Sequence, residues 1–203
     1  WFTVGRTLSH TASFRSNCQE QRTINEVGVV KALEQIEEAT LSDNFWDVAV
    51  VQDLAYTSTI NPTYLVYLAA QVYMNDMSLL SNNITVRYLL ELAGDVHHIF
   101  PKEYLKSNGF SRNLYNQNAN YAYLDTQVNK SIGKKAPHEY LGEALQQCET
   151  KVVKCGSITD LEMLKQNLAT NCIPFEACTM DHTDYESFLN ERRKLMAQKI
   201  KKY

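Results

Sequence analysis

The sequence predicts a mainly α-helical protein: a helical bundle scaffold with one short strand–loop–strand–helix unit set into its middle. Apolar residues recur at three- and four-residue steps through most of the 203-residue chain, the period of a helix with one buried stripe. Alternation replaces that period at Tyr121, Ala122, Tyr123 and Leu124, as in a strand. A composition of 44% hydrophobic and 21% charged residues suits one large soluble domain, or two small ones sharing a core.

In chain order, Trp1 to Gln21 is polar, with Arg6, Ser9, His10 and Arg15, and reads as loop or as a helix continued from upstream. The start at Trp1, without methionine, reads as a fragment of a longer protein. From Thr23 to Ala39, Ile24, Val27, Val30, Leu33 and Ile36 recur at three-residue steps, which predicts an amphipathic helix running through Gly28 with Glu34, Glu37 and Glu38 facing water. Asp43 precedes a second helix carrying Phe45, Trp46, Val48, Val50, Val51 and Leu54, with Trp46 expected in the core. Asn61 caps and Pro62 opens a third helix reaching Met74, whose Tyr64, Leu65, Leu68, Val72 and Tyr73 read as core. Thr85 to Leu92 is a last short helix that carries and braces the segment beginning at Asp95.

Residues 91–103 and 120–130 carry the chemistry. Asp95, Val96, His97, His98, Ile99, Phe100 and Pro101 form a strand running into a loop, and Tyr121 to Leu124 form the returning strand. Asp125 then caps a helical turn bearing Asn129. Hydrolysis of a phosphodiester needs a base to deprotonate water, and a neutral imidazole suits that task. His98 fits the role of base. A divalent cation beside it would stabilise charge on the phosphate and the leaving oxygen. His97 and Asn129 are the expected ligands, and Asp95, two residues before His97 on the same side of an extended strand, is a third candidate that would bind or orient. Asn120 is expected to fix the loop so that the imidazole presents the right nitrogen to water.

The string Asp95-Val-His97-His98-Ile99-Phe100-Pro101, with the nine-residue step from Asn120 to Asn129, resembles the signature of HNH, or ββα-metal, endonucleases. More narrowly, His97 to Lys102, Asn118-Ala119-Asn120, Asn129 to Ile132 and Pro137 to Leu141 are similar to the C-terminal half of GmrSD-type proteins. Those resemble modification-dependent restriction enzymes in which a ParB-like NTPase domain precedes an HNH domain. The sharp likeness covers residues 95–141, and a looser one extends over the rest. It implies an embedded ββα-metal motif, DNA as substrate, an upstream NTPase domain in the same protein, and Mg²⁺ or Mn²⁺ as cofactor. His97 stands where many such sites have Asp, and imidazole favours transition metals over Mg²⁺.

The segment from Lys102 to Asn118 is expected to be a loop or short-helix insertion turning at Asn108-Gly109. Its asparagines read either as contacts to adenine edges or as ordinary turn bonding. Helical periodicity resumes from His138 to Gln147, helix and connector fill Cys148 to Cys178, and a final helix spans Asp184 to Tyr203. That helix carries Arg192, Arg193, Lys194, Lys199, Lys201 and Lys202, and reads either as a surface on the DNA backbone or as a solvated helix docked on the bundle. The expected division is a scaffold over 1–92, the nuclease unit over 93–145 and a C-terminal helical segment over 146–203.

A net charge of −3 gives no global attraction to nucleic acid, but Lys102, Lys106, Arg112, Lys130, Lys134 and Lys135 outnumber the acids between Asp95 and Lys135. Lys102, Lys130, Lys134 and Lys135 are the expected phosphate contacts. No run of about 18 apolar residues occurs, so no membrane span is expected, and no signal sequence opens the chain. A cytoplasmic protein, oligomeric or not, is the working reading. The five cysteines lack a C-x-x-C pair and read as reduced thiols, with zinc or a disulfide among Cys148, Cys155, Cys172 and Cys178 as the alternative. The competing function is a non-catalytic DNA- or protein-binding module that keeps the nuclease fold. His138 and His182 lie outside the motif and are not expected to bind metal.

Overall fold

The computed structural model describes residue 25 and residues 27–92 and 96–203, and is mainly helical with one small two-stranded antiparallel sheet. The chain divides into two compact units after Val50. In the first, α1 spans Val29–Thr40 and a π-helical turn spans Phe45–Ala49. The predicted helix through Gly28 is corrected here: Asn25 and Val27 are helical, but Gly28 has φ of +85°, outside helical geometry, and a separate helix starts after it. Within α1 only Ala32 is buried, while Val30 and Leu33 are exposed. Trp46, expected in the core, is half-buried and donates its indole N–H to the Leu41 carbonyl at 3.1 Å. A polar edge that needs an acceptor is better satisfied near the surface.

The second unit, Val51–Tyr203, contains the short α2 (Val50–Asp53, straddling the boundary), α3 (Pro62–Tyr73), α4 (Val86–Glu91), β1 (Val96–His98), α5 (Lys102–Ser107), α6 (Arg112–Tyr115), β2 (Tyr121–Tyr123), α7 (Thr126–Ile132), α8 (Pro137–Thr150), α9 (Leu161–Thr170) and α10 (Tyr185–Lys202). Local chemistry sets several of these boundaries. Asn61 accepts the Tyr64 N–H at 3.1 Å and Pro62 opens α3, while Thr85 accepts the Tyr88 N–H at the start of α4. Helix α3 packs on α10 and buries Tyr64, Tyr67 and Leu68, but Leu65 and Tyr73, also expected inside, face solvent. The insertion after Lys102 holds two short helices joined at Gly109, whose φ of +87° makes the turn.

Helix α10 packs into the core, and Arg192 and Lys199 of its basic run are buried there while Lys194, Lys201 and Lys202 stay exposed. Arg192 is 0% exposed, its guanidinium donating to the carbonyls of Ala119 at 2.8 Å and Asn171 at 3.2 Å. Lys199 is buried too, 2.5 Å from the Asp76 carboxylate and 2.8 Å from the Thr170 carbonyl. These two cations, read in the sequence as surface groups, therefore hold the interior together, and removing one partner of the buried Lys199–Asp76 pair costs about 3–5 kcal/mol.

The loop between α3 and α4 buries Asp76 and Ser78 to Ser81, and Asn167 of α9 with Asn171 just after it supplies four of its hydrogen bonds. Asn167 accepts from Leu80 N at 2.8 Å and donates to the carbonyls of Ser78 and Ser81, and Asn171 donates to Met77. Leu79 N donates to Tyr123 O at 2.9 Å, so this loop runs along the outer edge of β2. Leu80 sits at φ +58°, an uncommon conformation for a bulky residue. Against it lies Gly156, at φ +72°, where a Cβ would stand 2.2 Å from the Leu80 carbonyl oxygen. Among the described residues Cys148, Cys155, Cys172 and Cys178 are free, buried thiols, and burial pushes the thiols of Cys155 and Cys178 up to about 11. No helix of the described residues is long and apolar enough to cross a membrane.

Candidate functional site

Two strands pair antiparallel with Val96 opposite Tyr123, His97 opposite Ala122 and His98 opposite Tyr121. The pleat sends adjacent side chains to opposite faces, so His97 and His98 enter different surroundings. His97 turns toward α7, which begins where Asp125 accepts the backbone N–H groups of Gln127 and Val128. One turn into that helix, Asn129 places its Oδ1 2.7 Å from His97 Nδ1. The imidazole is 3% exposed, lies edge-on to the Tyr140 ring at 5.9 Å, and has its Nε2 buried with no hydrogen-bond partner among the described residues.

His98 is half-buried, its ring edge-on to Tyr121 at 5.0 Å. Its Nε2 stands 3.0 Å from Asn116 Oδ1. An amide oxygen only accepts, so this bond requires Nε2 to carry the proton and leaves the Nδ1 lone pair available. Burial lowers the His98 pKa, the Asn116 bond opposes that, and the Lys102 charge lowers it further. A neutral ring with one nitrogen anchored and the other able to accept is the form a general base requires.

Asn120 is fully buried and clamps the loop that follows β1. Its Oδ1 accepts the Phe100 N–H at 2.9 Å, and its Nδ2 donates to the carbonyls of Phe100 at 3.1 Å and Tyr115 at 3.0 Å. Tyr140 adds a hydroxyl bond to the Ile99 carbonyl at 2.9 Å. Of the predicted residues, then, His97 and Asn129 meet, and His98 and Asn120 flank one loop. Asp95 lies outside the described residues. Lys102, Lys130 and Lys134 are exposed, whereas Lys135 is 2.8 Å from the Glu143 carboxylate and so partly neutralised. Sequence reasoning offered Asn116 and Arg192 only as alternative DNA contacts and Tyr140 only as part of a resembling string, and tied none of them to the histidines. Asn116 lay in the asparagine-rich string, but the chain between it and His98 runs through loop and two short helices, so no single period links the two.

Among the described residues no group of three or more His, Cys, Asp or Glu side chains is placed to hold a metal ion. The His97–Asn129 pair nevertheless fits one. Two adjacent ligands of an octahedral ion with bonds of about 2.1 Å stand roughly 3 Å apart; these atoms stand 2.7 Å apart as a hydrogen-bonded pair, so Nδ1 carries the proton and a metal would replace this bond only with the proton moved to Nε2. A ligating imidazole must be neutral, and burial, opposed by the Asn129 bond, pushes His97 down to about 4.

The same depression makes stability in chelator depend on pH. The unfolded ring takes a proton near 6.5 and the folded ring only near 4, so stability is fully present above the first value and falls as pH drops toward the second. The loss should reach about 3 kcal/mol. Urea unfolding of wild type and His97→Gln across this range checks it: the difference in stability between them should narrow on acidification, and a constant difference would contradict it. No family model, curated protein or solved structure matches this chain.

Proposed function

We propose that this chain is a metal-dependent HNH-type endonuclease domain that hydrolyses phosphodiester bonds in DNA, within a modification-dependent restriction or phage-defence protein. The observation that carries this reading is the state of His98: half-buried, anchored through Nε2 by Asn116, with Nδ1 left to accept, one residue from the His97–Asn129 pair. His98 Nδ1 takes the proton from water as the oxygen attacks phosphorus, and Asn116 holds the ring as it becomes cationic. Asn120 keeps the loop at Phe100 from drifting, which fixes the direction of the imidazole. Mg²⁺ or Mn²⁺ would be held by His97 and Asn129, with Asp95 as the further candidate, and would supply charge stabilisation at the phosphate and leaving oxygens. Exposed Lys102, Lys130 and Lys134 attract the DNA backbone without reading its sequence. The NTPase that would gate cleavage belongs upstream in the same protein.

The competing reading, a non-catalytic binding module, draws on the sealing of His97 at 3% exposure and its direct bond to Asn129. Plasmid nicking separates the two. Plain, hydroxymethylated and glucosylated DNA are incubated with the chain in Mg²⁺, Mn²⁺ or chelator, with and without GTP or ATP. Slow nicking that requires metal and ignores nucleotide is expected. Salt-sensitive DNA retention with no cutting under any metal would favour the binding module, and stimulation by GTP would place a nucleotide site within this chain.

A further inference from the structure

The segment 114–120 carries both asparagines that control the His98 loop, and α10 grips it at three points. Tyr185 donates its hydroxyl to the Leu114 carbonyl at 2.9 Å, Arg193 bonds the Gln117 side chain, and Arg192 donates to the Ala119 carbonyl at 2.8 Å. Between the first two grips stands Asn116, the partner of His98, and the third is adjacent to Asn120. The other end of the loop is held by the same helix, since the Phe100 ring packs on Phe188 at 4.8 Å and on Tyr185 at 5.1 Å.

Arg192 is the unusual member. Its guanidinium bonds the neutral carbonyls of Ala119 and Asn171, so an apolar residue of similar size would avoid the cost of burying a charge. The Asn171 carbonyl also receives the Tyr67 hydroxyl at 3.3 Å, whereas for the Ala119 carbonyl Arg192 is the side-chain donor. The two carbonyls belong to segments far apart in the chain, and the planar guanidinium fixes their separation as a flexible ammonium would not.

We propose that Arg192 is a positioning residue for the candidate base: by tying Ala119 to the α9–α10 framework it places Asn116 so that His98 is held as the Nε2-protonated tautomer. Its kinetic consequence rests on the nuclease reading, but the tautomer does not. Long-range ¹H–¹⁵N NMR of the imidazoles at about pH 8, where a histidine is neutral, reads the tautomer directly in the full chain. Wild-type His98 should be the pure Nε2–H form. Arg192→Met should give a mixture, since a preference weakened to roughly 1.4 kcal/mol leaves about one ring in ten in the Nδ1–H form. Arg192→Lys should restore part of the wild-type signal, because one donor can still reach Ala119.

Lys199→Met, which breaks a buried pair on the same helix away from this segment, should destabilise without changing the His98 signal. A folded Arg192→Met variant with the wild-type His98 signal would overturn the proposal, as would an equal change in Lys199→Met. If Arg192→Met does not fold, Arg192→Lys decides: its single flexible donor should still leave a fraction of the Nδ1–H form, and a wild-type His98 signal there overturns the proposal. Where wild type nicks DNA, Arg192→Met should lower kcat at nearly constant KM, by about a tenth for the rings in the wrong tautomer and further through misdirection of the rest, with Arg192→Lys in between. Failure of wild type to nick would remove the nuclease reading while leaving the NMR result to judge the tautomer.

Discussion

His98→Ala is expected to cut nicking by roughly 10²-fold or more, the range for loss of a positioned general base. Because the ring is half-buried and bonded to Asn116 rather than enclosed, the variant should fold and retain DNA affinity. Metal affinity should also survive, since the His97–Asn129 pair lies on the opposite face of the strand. Single-turnover nicking by wild type and variant at matched metal concentration checks this. Cleavage at the wild-type rate would remove His98 from the reaction and leave the attacking water to another group.

Gly156→Ala is expected to be the most destabilising small substitution in the second unit. A methyl group there would stand 2.2 Å from the Leu80 carbonyl oxygen, and the backbone is already at φ +72°. Left-handed strain and overpacking against an immobile carbonyl together amount to about 4 kcal/mol. Moving the 156–157 turn away would also break the bond from Ser157 N to Leu80 O, which is 2.9 Å long. The damage passes to the site, because the same loop places Leu79 against Tyr123 of β2. Gly142→Ala is the control: it lies inside α8 with nothing within 4 Å of its would-be Cβ, so it should stabilise by about 0.5–1 kcal/mol. Urea midpoints moving in the same direction for both would contradict this account.

The parts of the fold that were legible in the sequence are those whose causes are local. Asn61 and Pro62 at the start of α3, Asp125 at the start of α7 and the alternation from Tyr121 to Leu124 each act within a few residues. The encounter of His97 with Asn129 was within reach for the same reason, since strand, cap and one helical turn fix it. Asn116 was not, because its partner is reached through an irregular segment held by a helix some 70 residues further on. The basic run at Arg192 and Lys199 misled for a related reason. A cation reads as solvated unless its acceptors can be seen, and here they are carbonyls and a carboxylate brought from distant segments. Gly28 shows the opposite failure: periodicity carried the helix through a residue whose backbone conformation ended it.

The bonds from Arg192 to Ala119, from Asn167 to Ser78 and from Tyr67 to Asn171 close loops spanning 73, 89 and 104 residues. Closing such loops costs chain entropy before the contacts repay it, so they form late in folding. On the ribosome the Ala119 carbonyl has to wait for residue 192, although both strands and α7 were made long before. The hairpin bearing the two histidines can therefore form early, but the surroundings that orient them arrive with α10. Under the proposed nuclease reading, this order of assembly leaves the two histidines without their final orientation until residue 192 has been made.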